Sequence, residues 1–205
     1  MHQEILTKEQ IELLPLLKNF AKEFYLVGGT AIALHIGHRR SIDFDLFTSG
    51  KIKRKNIKNL IEKTKFSISE ILFEDFEQLH IVVNNVKITF FTFEHKIEPT
   101  LDFDNIIKIP SLLDLSAMKA FALGGRAKWK DYVDLYFILK NHFSFKDITA
   151  RANSLFKEFF NEKLFREQLS YFKDIDYEEK VEFVTGEVSE NKVKKFLTEV
   201  AVSPI

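Results

Sequence analysis

The spacing of apolar residues predicts helices and strands in alternation over the first part of the chain. Residues 7–20 and 51–65 have apolar positions three and four apart, which predicts two amphipathic helices. The aromatic and β-branched run at 25–27 predicts a short buried strand that stops at two glycines. Residues 41–47 alternate between apolar and polar side chains, so we expect a second strand with Ile42 on its apolar face.

The alternating pattern continues through the middle of the chain. Residues 66–74, 79–84 and 86–93 predict three antiparallel strands, and the Asn-Asn pair at 84–85 is typical of a tight hairpin turn. Together with the two earlier strands they make a sheet of about five strands. Residues 94–110 predict a loop with one short extended piece near its end.

From residue 111 onward the spacing is helical. Ser111 is a predicted N-cap. The predicted helices cover residues 112–123, 129–140, 146–159, 162–172 and 190–200. The predicted fold class is therefore α+β: a mixed sheet of about five strands with flanking helices over residues 1–110 is followed by a helical C-terminal lobe over 111–205.

Composition narrows the class of protein. The 205 residues include no cysteine, which fits a reducing compartment and excludes zinc–thiolate sites and thiol nucleophiles. No apolar run approaches the roughly 20 residues that a membrane crossing needs, so we expect a cytoplasmic protein without a membrane partner. Thirty basic and thirty acidic residues cancel, so any nucleic-acid binding must depend on local basic patches.

Two glycines between the first strand and the following helix suggest a phosphate-binding loop. Gly28 and Gly29 force a turn, and Thr30 is placed to cap the helix that follows. Exposed amides at a helix N-terminus, beside a loop without side chains, suit a phosphate group. The alternative is an ordinary helix-capping turn with no ligand.

Two carboxylates follow thirteen residues later. Asp43 and Asp45 lie two apart on a predicted strand and therefore share one face. Two adjacent carboxylates repel each other, and a cation such as Mg²⁺ or Mn²⁺ that bridges them to nucleotide phosphates would explain the pair. The alternative is a solvated face of an edge strand. The combination of Gly-Gly with Asp-hydrophobic-Asp resembles the nucleotidyltransferase superfamily of DNA polymerase beta. The resemblance implies that residues 1–110 form a nucleotidyltransferase-type α/β core and that the helical lobe over 111–205 completes the active site.

A second group of charged residues lies in the helical part. Asp131 and Asp134 are three apart on one helix face, and Lys119 comes from the preceding helix across the turn at Gly124 and Gly125. Lysine there could neutralise a triphosphate, whereas the structural alternative is a salt bridge between Lys119 and Asp134 with the nearby basic residues solvated.

The sequence from Gly28 through Asp43-Phe44-Asp45 to Lys119 and the segment 130–136 (KDYVDLY) resembles the AbiEii/AbiGii toxin family of nucleotidyltransferases. The resemblance implies an NTP-dependent toxin, related to enzymes that transfer nucleotides to tRNA ends. It also implies a cognate antitoxin, often a DNA-binding repressor.

The resemblance also implies roles for individual residues. Asp43 and Asp45 bind the metal, and together with Lys119, Asp131 and Asp134 they form the catalytic set. The residues expected to hold the NTP phosphates are Gly28, Gly29, Thr30, Arg40 and Lys119. The candidate contacts to an RNA or tRNA acceptor are Arg39, Lys53, Arg54, Arg126, Lys128 and Lys130, for which solvated helix faces are the alternative.

One position departs from the superfamily pattern. A third carboxylate commonly lies on a later strand, and Thr89 stands at the equivalent place here. Asp131 or Asp134 could supply the general base, the acceptor hydroxyl could react without a dedicated carboxylate, or the chain could bind nucleotide without turnover. The alternative functions are therefore a catalytically degenerate nucleotide-binding or partner-binding protein, and adenylylation of a small molecule or protein.

Overall fold

The computed structural model describes residues 1–203 and has the α+β class that the sequence predicts. The chain divides into two compact units, Met1–Ser111 and Leu112–Ile205. The last two residues of the predicted helical lobe lie outside the described part. The roles assigned above to the two predicted domains stay predictions. Within residues 1–203, no helix has the length and apolar character needed to cross a membrane.

The first unit contains a five-stranded mixed sheet. Its helices and strands are α1 (Lys8–Lys18), β1 (Tyr25–Val27), α2 (Gly28–Ile36), β2 (Phe44–Thr48), α3 (Arg54–Glu62), β3 (Ile68–Glu74), β4 (Gln78–Val83), β5 (Val86–Thr92), β6 (Leu101–Phe103) and β7 (Ile107–Ile109). The strand order is β1-β2-β5-β4-β3. Strands β2 and β5 are parallel, and the other neighbouring pairs are antiparallel. Strand β2 lies between β1 and β5, and β5 is the central strand of the sheet.

Local sequence signals explain how several of these elements begin and end. Thr7 caps α1 through a reciprocal pair of hydrogen bonds with Gln10. Asn84 and Asn85 both have positive φ, at 49° and 60°, which suits the two-residue turn between β4 and β5. Alternate side chains of β2, such as Phe44 and Leu46, are buried in the core. The predicted hairpin and the predicted face of β2 are confirmed at these positions.

Three local predictions are wrong. Helix α2 begins at Gly28 with Val27 at the N-cap position, so Thr30 lies inside the helix and does not cap it. Strand β2 begins at Phe44, and Ile42 before it is 60% exposed instead of buried. The predicted loop contains β6, a three-residue strand that pairs with β7. A strand this short depends on its partner, and its own sequence carries little signal.

The second unit is helical, as predicted. Its helices are α4 (Leu112–Leu123), α5 (Trp129–Asn141), α6 (Phe145–Phe156), α7 (Glu162–Ser170) and α8 (Glu190–Val202). Ser144 and Asp147 form a capping box at the start of α6, and the Asn161 side chain caps α7. A short 3-10 turn, Lys157–Phe159, ends the segment predicted as one helix over 146–159.

Candidate functional site

The glycine turn lies directly against one of the two candidate metal ligands. Gly28 has a φ of +72°, which favours glycine, and a Cβ atom at this position would overlap the Asp45 carboxylate oxygen Oδ2. Strand β1 pairs with β2 so that Val27 is opposite Asp45, which brings the carboxylate to the start of α2. Glycine at position 28 therefore allows a carboxylate to touch the backbone of the turn.

The second glycine has a different neighbour. A Cβ atom at Gly29 would lie 2.6 Å from Nη2 of Arg39, whose side chain is almost fully buried. The Arg39 guanidinium also donates a hydrogen bond of 2.9 Å to the carbonyl of Arg40. A cation thus lies next to the turn at which the sequence predicts phosphate binding. Arg39 is not part of an exposed basic surface.

The other predicted phosphate contacts of this unit have partners inside it. The Thr30 hydroxyl is buried and donates a hydrogen bond to the carbonyl of Asp43, which ties α2 to the residue before β2. The Arg40 guanidinium donates to the carbonyls of Glu4 and Leu6 at 3.3 and 3.5 Å. The structure therefore gives both side chains structural roles, and their contact with phosphate stays a prediction.

The two aspartates are half-buried: Asp45 lies on β2, and Asp43 immediately precedes the strand. Nζ of Lys87 lies 3.3 Å from Oδ2 of Asp43. Asp45 is opposite Thr89 in the register of the parallel pair β2–β5. Thr89, which stands where a third acid is expected, is therefore adjacent to Asp45. Lys87, two residues earlier on β5, partly neutralises the negative charge of Asp43. Sequence reasoning did not identify Lys87.

The donor set fits a magnesium ion. Mg²⁺ is bound in proteins by one or two carboxylates together with substrate phosphates and water, and it rarely has a complete protein cage. Asp45 offers hard oxygen atoms against the glycine turn, and Asp43, two residues earlier, adds a second carboxylate. Within residues 1–203, no group of three or more His, Cys, Asp or Glu side chains is arranged to hold a metal. The remaining ligands would therefore have to come from the nucleotide and from water.

In the second unit, the predicted lysine and both aspartates meet in the protein interior. Nζ of Lys119 lies 2.7 Å from Asp131 and 3.1 Å from Asp134. Lys119 is 5% exposed and both aspartate side chains are fully buried. Burial acts to raise the pKa of Asp131, but the Lys119 ammonium and the Arg126 guanidinium, 3.2 Å away, outweigh it and hold this pKa below its ordinary value.

Three of the remaining basic residues proposed for nucleic acid form ion pairs within the protein. Lys128 and Lys130 both contact the carboxylate of Glu179, and the Lys128 contact is 2.6 Å. Burial opposes ionisation of Glu179, but its bonds to the two lysines lower its pKa to about 2. At α3, Arg54 is 3.6 Å from Glu74, and Lys53 is exposed just before the helix. Their contact with nucleic acid stays a prediction.

The family of this chain follows from its sequence and agrees with this geometry. The sequence model described as "Nucleotidyl transferase AbiEii toxin, Type IV TA system" matches residues 16–202, which is most of the chain. The chain belongs to the AbiEii family of nucleotidyltransferase toxins. The family prediction is therefore confirmed. Membership in a toxin–antitoxin family implies an antitoxin partner.

Similar proteins and solved structures extend this result. The chain is 30% identical over 202 residues to aq_aa25, an uncharacterized protein of Aquifex aeolicus (strain VF5), and the match covers 94% of this chain and 98% of the relative. MenT4, a nucleotidyltransferase toxin from Mycobacterium tuberculosis H37Rv, has a TM-score of 0.60 at 12% identity, with 96% and 84% of the two chains covered. JHP933 from Helicobacter pylori has a TM-score of 0.54 at 16% identity, with 96% and 90% covered. The two structural likenesses show the fold.

Proposed function

We propose that this AbiEii-family protein transfers a nucleotide from an NTP to a hydroxyl group of RNA, with tRNA as the preferred acceptor. The oxygen of the acceptor hydroxyl forms a bond to the α-phosphorus of the NTP. The bond from that phosphorus to the bridging oxygen breaks, and pyrophosphate leaves with the electron pair. Phosphoryl transfer of this kind depends mainly on positioning and on neutralisation of charge.

The contact between Gly28 and the Asp45 carboxylate carries the proposal. It brings a backbone turn suited to phosphate and a carboxylate suited to a divalent cation into direct contact. Asp43, two residues earlier, adds the second carboxylate. A Mg²⁺ or Mn²⁺ ion held there would stabilise the attacking and leaving oxygens. The chain's own contribution is to fix both carboxylates relative to the turn.

Positive charge near the phosphates is the second requirement of this chemistry. Arg39 lies against Gly29 in the first unit, and we propose that its buried guanidinium adds to the positive potential at the turn. The family resemblance implies a phosphate contact for Lys119 as well. Asp131 and Asp134 hold the Lys119 ammonium in one position, so their proposed role is to orient it.

The test is transfer of radiolabel from each of the four NTPs to total RNA and to purified tRNA, with and without Mg²⁺. We expect wild-type protein to label tRNA and Asp45→Asn to lose that activity, because the change keeps the shape and removes the charge. Asp104→Asn is the matched control, since Asp104 is exposed on a turn with a φ of 51°, a conformation that asparagine tolerates. Equal labelling by Asp45→Asn and wild type would contradict the proposal.

The main alternative is a protein that binds nucleotide without turning it over. Thr89 favours it, because the residue opposite Asp45 cannot act as a carboxylate base. Calorimetric NTP binding without label transfer to RNA, to small hydroxyl compounds or to protein would support this alternative. Transfer to small hydroxyl compounds or to protein, but not to RNA, would identify a different acceptor class.

We also propose that the antitoxin is a DNA-binding repressor encoded beside this gene. Co-expression with the neighbouring reading frame should relieve growth arrest, and the neighbour should bind its own promoter DNA. Relief by a neighbour that does not bind DNA would contradict the second part of the proposal.

A further inference from the structure

A row of side chains crosses the sheet of the first unit beside the candidate metal ligands. Asp45 on β2 is opposite Thr89 on β5, Thr89 is opposite His80 on β4, and His80 is opposite Phe73 on β3. Residues that are opposite each other in a sheet project to the same face. Counted from Asp45, Thr89 comes first in this row, at the position where an acid is missing, and His80 comes next. His80 is therefore the first side chain after Thr89 that can accept a proton.

Neighbouring side chains fix the His80 ring. Phe73 packs against it with ring centroids 5.5 Å apart, and Nε2 lies 3.0 Å from the carbonyl oxygen Oε1 of Gln78. Because a carbonyl oxygen only accepts hydrogen bonds, the orientation of the Gln78 amide assigns the proton to Nε2, and in this tautomer Nδ1 is the proton acceptor. A base held by a third group in this way is the usual arrangement for proton transfer in enzymes.

Charged groups around His80 come from three other elements. Burial is the largest influence on its pKa and lowers it, and Lys87 on β5 lowers it further. Asp45 on β2 and Asp75 in the turn before β4 act in the opposite direction but do not cancel this shift. The ring is therefore neutral near pH 7 and able to accept a proton.

We propose that His80 takes the place of the missing third carboxylate and accepts the proton of the attacking hydroxyl at Nδ1. This role rests on the nucleotidyl transfer proposed above. As the new bond to the α-phosphorus forms, the hydroxyl proton moves to Nδ1 and the electron pair of the broken bond leaves with pyrophosphate. Strand spacing puts the Cα atoms of Asp45 and His80 about 10 Å apart. Both side chains project to the same face of the sheet on either side of Thr89, and the proposed path from the attacking hydroxyl to Nδ1 includes one water molecule.

The test compares the pH dependence of kcat for tRNA labelling in wild type and His80→Gln. In wild type we expect kcat to fall as the pH drops through the lowered pKa of His80, below the ordinary 6.5. His80→Gln should reduce kcat by about 10²–10⁴-fold, which is the usual contribution of a general base, and should lose this acidic limb. Thr89→Asp in the His80→Gln background should restore part of kcat, with the limb moved to lower pH.

A control variant and a second measurement make the test specific. His95→Gln removes another half-buried histidine, which packs edge to face against Phe93 of the same unit, and it should leave kcat unchanged. Nitrogen NMR of the His80 ring, assigned from its absence in His80→Gln, should show the Nε2-protonated form and a pKa below 6.5.

The outcomes separate this role from the function on which it rests. Identical pH profiles for wild type and His80→Gln, or a His80 ring protonated at Nδ1, would overturn the role of His80 alone. Absence of transfer by the wild-type protein would overturn the proposed function and this role with it.

Discussion

Replacement of Lys119 by methionine should strongly destabilise the second unit. The change removes the ammonium from between Asp131 and Asp134, both of which are fully buried, while it keeps a side chain of similar length. Arg126 remains near Asp131 only, and it is 53% exposed, so solvent screens its charge. Removal of one partner from a buried ion pair typically costs about 3–5 kcal/mol. For a chain of this length that corresponds to a melting temperature about 6–20 °C lower.

The assay is urea unfolding followed by circular dichroism, together with thermal melting, at pH 7 and at successively lower pH. The pKa of Asp131 is lowered in the folded wild type, so its contribution to stability is full above its ordinary value of 3.8 and is lost as the pH falls below it. In Lys119→Met the buried carboxylates gain stability by protonation. The difference between the two proteins should therefore shrink as the pH falls.

Two further variants separate stability from catalysis. Lys163→Met removes a lysine that is 86% exposed and should change stability by less than about 0.5 kcal/mol. Lys119→Met combined with Asp131→Asn and Asp134→Asn removes all three charges and should recover more than half of the lost stability while transfer stays absent. A loss below about 1 kcal/mol in Lys119→Met would refute the burial argument. Transfer by the triple variant would refute the catalytic assignment.

Three other substitutions test separate parts of the structure. Gly28→Ala should lower the free energy of unfolding by about 1–2 kcal/mol, because alanine does not favour the positive φ at this position. The added Cβ should also displace the Asp45 carboxylate and thereby lower the rate of nucleotide transfer about 100-fold. Gly50→Ala, where a Cβ has ordinary contacts, is its control, and equal kinetics of the two would contradict the argument. Glu179→Gln should lower stability by less than about 1 kcal/mol at pH 7 because the carboxylate is partly exposed. The stability difference between Glu179→Gln and wild type should vanish as the pH falls from 4.5, the ordinary pKa of a glutamate, toward 2. A difference in melting temperature that does not change with pH would refute this prediction. Lys157→Gly should raise the free energy of unfolding, measured by urea denaturation, by about 1 kcal/mol, because the φ of 50° and ψ of −127° at this position strain a lysine backbone and suit glycine. A lower free energy of unfolding would disprove the backbone strain.

Elements with strong local signals could be predicted from the sequence. The helices of the second unit have an apolar spacing of three and four residues, and the Ser144 and Asp147 capping box marks the start of one of them. The buried charged group of the second unit could also be predicted. Asp131 and Asp134 are three residues apart and share a helix face, and Lys119 comes from the preceding helix across the turn at Gly124 and Gly125. Local periodicity contains all of this information.

Other features depend on pairing between distant segments and could not be predicted. Lys87 and His80 lie beside the aspartates only because β2 pairs with β5 and β5 with β4 in one particular register. The Asn84-Asn85 turn fixes the register of β4 against β5, but no local signal fixes the register of β5 against β2, where a shift of one residue would turn these side chains to the other face. The prediction that Thr30 caps α2 is wrong for a similar reason, since the hydrogen-bond partner of its hydroxyl is the carbonyl of Asp43, thirteen residues away.

The parallel pairing of β2 with β5 also has a consequence for the order in which the site can form. The Lys87 and Asp43 side chains that meet across it are 44 residues apart in sequence, whereas the β4–β5 hairpin closes over two residues. Long-range pairing is the slower event in folding because the intervening chain must first be brought together. A nascent chain that ends before residue 86 has the glycine turn and both aspartates but lacks β5. The ribosome must therefore synthesise the whole sheet before a growing toxin chain can assemble this site.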